Sequence, residues 1–144
     1  MLFGENIQDT RQLFYSSWRK FRLGQPLLPL EKQLVDVIAD HPEYHAMFDN
    51  TNEPNEHAYF PEMGQSNPFL HLGLHLAIRD QLATNRPEGF AALFQQLLIK
   101  YQDKLVVEHK IMECLAESLW QAQRNGQAPD EAGYILAVSR LLKA

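Results

Sequence analysis

The sequence predicts an all-α protein: a single-domain bundle of about six or seven helices spanning 1–144, with one long loop at 49–66. Three observations lead there. Apolar residues recur with a helical period, and strand-like alternation is nearly absent. Asn, Asp, Pro and Gly punctuate the chain at helix-length intervals. At 144 residues, 45% of them hydrophobic and 22% charged, the chain has the size and composition of one globular domain. A chain of that length buries roughly 70% of the surface its unfolded form exposes, so one core suffices.

The first helix is expected from about Asn6 to Arg22, anchored by Ile7, Phe14, Trp18 and Phe21 with Leu13 beside them, and stopped by Gly24. Pro26 and Pro29 mark a turn. A second helix starts near Leu30 and carries Leu30, Leu34, Val37 and Ile38 at i, i+4, i+7 and i+8. It must end before His41, because a residue preceding proline avoids the α region. Pro42 then suits the first position of a short helix through Phe48. Asp49 to Ser66 is polar, is broken by Pro54, Pro61 and Gly64, and contains Glu53, Glu56, His57 and Glu62. A connection that long is either a plain link or a lid or ligand-bearing loop.

Asn67-Pro68 is a helix start, with Asn as cap and Pro in the first turn; that helix runs to about Asn85. Pro87 opens the next, from Glu88 to about Gln102. Asp103 caps a long helix through Arg124, ended by Asn125-Gly126. Pro129-Asp130-Glu131 starts the last, which carries Tyr134, Ile135, Val138, Leu141 and Leu142.

The net charge of −5 argues against nucleic acid as a partner. Arg11, Arg19, Lys20 and Arg22 nevertheless cluster on the first helix, either as a solvated face or as a contact for a protein partner, a role the 49–66 loop could share. The single Cys114 excludes an internal disulfide and fits a reducing, cytoplasmic setting. No apolar run of about 20 residues predicts a membrane span, and Met1 to Arg11 lacks the pattern of a secretory leader. There is no phosphate-binding glycine loop, no nucleophile elbow, and no haem or flavin signal.

The histidines carry the chemistry. They stand at 41, 45, 57, 71, 75 and 109, and two pairs, 41/45 and 71/75, are four apart. Random placement of six gives about 0.2 such pairs, so two is an excess. His-x-x-x-His on a helix puts two imidazoles on one face, within reach of one ion. His41 precedes Pro42 and so sits at a helix start, which leaves His41 and His45 as outer members at most. His71 and His75 lie inside a helix whose first half is apolar nearly all round; such a helix is buried, and its imidazoles need partners.

The long helix supplies candidates. Leu105, Met112, Leu115, Ala116, Leu119 and Trp120 form its expected apolar stripe. His109 and Glu113 fall in that stripe or at its rim, with Glu117 a step further round. If the two helices face each other, His71, His75, His109 and Glu113 converge. Three imidazoles and a carboxylate suit Zn, Fe or Mn, in a structural or a catalytic site. The competing reading is a buried His–Glu hydrogen-bond network without metal, in a non-enzymatic interaction or adaptor protein. Cys114 lies on the other side of the helix from His109 and reads as packing.

Three stretches taken together, His41-Pro42-Glu43-Tyr44-His45, Asn67 to His75 and Glu108 to Ala122, with the Trp18-Arg19-Lys20 region, resemble a family of uncharacterised proteobacterial proteins classed as a domain of unknown function. The resemblance spans nearly the whole chain and implies a bacterial cytosolic protein, but no activity. The spacing is also similar, more loosely, to hemerythrin-like bundles: His71/His75 matches their His-x-x-x-His and His109/Glu113 their His-x-x-x-Glu, while their third helix with His-x-x-x-x-Asp has no counterpart here.

Overall fold

The structure, a computed structural model, describes residues 7–50 and 67–143. Expectations that fall on 51–66, including Glu53, Glu56, His57 and Glu62, and on the side chain of Ile7 lie outside the described residues. Among those described there are seven α-helices, one 3-10 turn and no strand, so the protein is all-α. The chain divides into two compact units, 1–73 and 74–144. The division falls inside one continuous helix, α4 (Pro68–Thr84).

The first unit holds α1 (Ile7–Arg22), α2 (Pro29–Ala39), a 3-10 turn (Pro42–Tyr44), α3 (His45–Asp49) and the start of α4. Gly24 ends α1 at φ +69°, a left-handed conformation that glycine adopts without a Cβ penalty. There Gln25 N–H donates to Lys20 O at 2.9 Å and Gly24 N–H to Phe21 O at 3.0 Å, the two bonds of a Schellman ending. At the start of α2 the Glu31 carboxylate accepts from Leu28 N–H at 2.8 Å and from Lys20 at 2.7 Å. Phe14, Tyr15, Phe48 and Phe69 meet with ring centroids 5.1–6.2 Å apart, and α2 adds Leu34, Val35, Val37 and Ile38. Buried Trp18 donates to Asp49 at 2.8 Å, and Arg22 both pairs with Asp49 and lies over the Trp18 ring. Much of the basic face of α1 is thus engaged locally: Lys20 with Glu31, Arg22 with Asp49, and Arg11 over Phe69.

The second unit holds the rest of α4, α5 (Phe90–Tyr101), α6 (Lys104–Asn125) and α7 (Glu131–Arg140). The expected cap residues function as such. Asn67 Oδ1 accepts from Phe69 and Leu70 N–H, Asp103 from Leu105 and Val106 N–H, and Asp130 from Gly133 N–H. Gly126, at φ +62°, ends α6. Helix α5 begins at Phe90, not Glu88, because Gly89 at φ +94° holds the preceding turn outside the helix. The core runs through Ile78, Phe90, Phe94, Leu97, Val107, Ile111, Leu115, Tyr134 and Val138. The buried stripe of α6 is therefore Val107, Glu108, Ile111, Met112 and Leu115. Of the expected stripe, Ala116, Leu119 and Trp120 are exposed instead, because the core partners of α6 end near Leu115. No described helix is long and apolar enough to cross a membrane.

Candidate metal centre

In the first unit, α2 stops at Ala39 and His41 takes a non-helical backbone, φ −125° and ψ 72°, as the cap of the Pro42 turn. It lies outside the α region, which a following proline disfavours. It folds the ring back over the end of α2, where Nδ1 lies 2.7 Å from Val37 O. A carbonyl only accepts, so Nδ1 carries the proton and the lone pair of the neutral ring is on Nε2. His41 is 2% exposed. Its ring stacks on Tyr44 at 5.8 Å and meets the His71 ring edge-on at 5.1 Å. Tyr44 also meets His71 edge-on, and burial, then the charge of Glu43, pushes its phenol above the ordinary value. His45 goes elsewhere: its Nε2 donates to Ile38 O at 2.8 Å and its ring lies 4.8 Å from Trp18.

In the second unit, His75 is completely buried on α4, and Nδ1 sits 2.7 Å from Glu108 Oε1. Glu108 is equally buried, on α6, and Arg79, one turn beyond His75, grips both of its oxygens at 3.1–3.3 Å. Burial pushes the Glu108 carboxyl up, but the bonds from His75 and Arg79 outweigh it and hold the group below its ordinary value. Glu108 is thus an anion, and it fixes the His75 proton on Nδ1 and the lone pair on Nε2. That Nε2 lies 3.2 Å from Nε2 of His109, which is exposed on α6.

Helix α4 is continuous through Gly73 and Leu74, so His71 and His75 share one face a turn apart. Of the histidines anticipated as ligands, His75 and His109 meet in the second unit, where their two Nε2 atoms offer a pair of ring nitrogens that could hold a metal ion; in the first unit His71 meets His41, expected only as an outer member. His45 turns to Ile38 and Trp18, and Glu113 is exposed. The buried carboxylate of α6 is Glu108, gripped by Arg79, and neither is among the residues expected from the sequence. A signal for both existed: Arg79 follows His75 by four residues, and Glu108 lies on the Val107–Ile111–Leu115 side of the wheel. Cys114 is half-buried, and its thiol is pushed up by burial and by Glu113, as suits a packing role.

Fold and site together define an all-helical protein with a histidine pair in each of its two units. The chain belongs to the family described as domain of unknown function DUF1841, whose model matches residues 6–140. No curated protein and no solved structure matches it.

Proposed function

We propose that this protein binds a transition-metal ion through His75 and His109. The observation that carries the reading is the locked tautomer of the buried His75 ring. Glu108 takes its Nδ1 proton and leaves Nε2, which lies toward His109, as the basic nitrogen. The 3.2 Å between Nε2 of His75 and of His109 is close to the ~3.3 Å separating two nitrogens on a tetrahedral ion with bonds of about 2.0–2.1 Å. The carboxylate behind His75 raises its basicity and orients it, as partners of metal-bound imidazoles do. Glu113, anticipated as the fourth ligand, is exposed and has no part in this proposal. An all-imidazole set suits Zn, Cu, Fe or Ni better than Mn. The exposed His109 leaves one side of the site open to exchange with solvent. We place the whole chain, 1–144, in one functional domain, since α4 belongs to both units, and in a reducing compartment, since Cys114 is the single cysteine.

The test is elemental analysis of protein purified without a nickel column, combined with thermal unfolding in added Zn, Cu, Fe and Ni salts. We expect about one equivalent of metal and a rise in Tm that His75→Ala abolishes. Less than about a tenth of an equivalent, with no metal raising Tm, sinks the reading.

One observation favours a second reading. Arg79, Glu108 and His75 already satisfy one another, so the network is complete without an ion, as in a non-enzymatic interaction protein. In that case His75→Ala lowers the stability of a protein that never held metal.

A further inference from the structure

The second unit contains a cleft of about 660 Å³ apart from the histidines, opened between the end of α4, the turn after it, α6 and the start of α7. Its volume lies within the range of small-molecule sites. At its base, Tyr134 is 4% exposed and donates from its hydroxyl to Gln81 Oε1 at 2.7 Å. That bond fixes the Gln81 amide. Its NH₂ has no protein acceptor among the described residues, and so it offers two oriented donors.

Leu115 and Leu119 from α6, with Pro87 and Pro129, make the apolar walls. Leu119 is 43% exposed, and the two prolines stiffen the rim. Three charged side chains also line the cleft: Asp80, Arg86 and Glu131. None of them makes an ion pair or side-chain hydrogen bond among the described residues, although opposite charges line one cavity. Elsewhere the protein pairs its charges readily, as at Lys20–Glu31, Arg22–Asp49 and Arg79–Glu108. A cleft that keeps both signs of charge unpaired around an apolar wall is suited to a ligand with both signs.

The geometry points to a binding site for a small zwitterion with an apolar body, an α-amino acid bearing an aromatic or large aliphatic side chain. Arg86 takes the carboxylate, helped by the Gln81 amide; Asp80 and Glu131 take the ammonium; Leu115 and Leu119 take the side chain. The site is independent of the metal proposal, and neither reading depends on the other.

The test is a methyl-NMR titration of the full chain with three probes that share one body: L-phenylalanine, phenethylamine (no carboxylate) and 3-phenylpropionate (no ammonium). Saturable shifts of the Leu115 and Leu119 methyls are expected with phenylalanine, at a Kd about tenfold or more below that of either single-ended probe. Arg86→Gln, an exposed change that leaves the core untouched, should bring phenylalanine down to the affinity of phenethylamine. Asp80→Asn should do the same relative to 3-phenylpropionate. No saturable shift by roughly 20 mM, equal affinity for the three probes, or an Arg86→Gln titration identical to wild type would each overturn the proposal.

Discussion

Among the described residues each unit buries one histidine, and the two are held by opposite means. His41 leans on a neutral acceptor, the Val37 carbonyl at the end of its own helix. His75 leans on a full charge, Glu108, which reaches it from another helix and is balanced by Arg79. The first arrangement is local and follows from how a helix ends before proline. The second is a long-range ion network, held in place by the aliphatic core of α4 and α6. Both set the same tautomer, so one chemical outcome rests on two devices of different cost. A carbonyl loses little when its donor goes, whereas a buried carboxylate or guanidinium left alone loses its compensation for desolvation.

The largest effect should therefore come from the charged device. Glu108→Ala leaves Arg79 and His75 without their acceptor and should cost about 3–5 kcal/mol in urea unfolding. Glu108→Gln keeps an acceptor and should cost clearly less. If the two variants are equally destabilised, the charge is not what the network needs. The carbonyl device should yield less. His41→Phe, measured in the presence of chelator, leaves Val37 O without a donor at a cost of about 1–3 kcal/mol; a cost as large as that of Glu108→Ala would erase the distinction.

The next effect is read through pH. The hydrogen bond from Arg22, then that from Trp18, holds the Asp49 carboxyl below its ordinary value. A lowered folded pKa gives stability that is present above the unfolded value and lost as pH falls through the folded one. Asp49→Asn should cost up to about 1 kcal/mol at neutral pH, discounted for the exposure of the pair. Its deficit should close as the pH drops below about 4. A deficit that persists in acid would point to shape instead of charge. The smallest effect belongs to the exposed Lys32–Asp36 pair at 3.3 Å: Lys32→Ala should change stability by less than about 0.5 kcal/mol, the surface counterpart to Glu108.

Much of this was legible from local chemistry. Asn67-Pro68, Asp103 and Gly126 act within a turn of themselves, so the boundaries they set were readable. So was the break at Pro42, which acts only on the residue before it. The buried stripe of α6 was not. Several faces of that helix are apolar enough to bury, and its neighbours choose among them. They chose Val107, Glu108 and Ile111, leaving Trp120 exposed. Glu113 is exposed for the same reason: a helical wheel gives directions around an axis but not which direction faces the core.

The sequence by itself determined an all-helical chain, its caps, the i, i+4 placement of His71 and His75 on one face, and the non-helical backbone of His41, because each follows from backbone sterics or helical period. Only tertiary structure decided that His41 meets His71, that His75 meets His109, that Glu108 and Arg79 stand behind His75, and that Glu113 faces solvent. Those outcomes depend on distances between residues some 30 positions apart in the chain, which packing sets and local propensity does not encode.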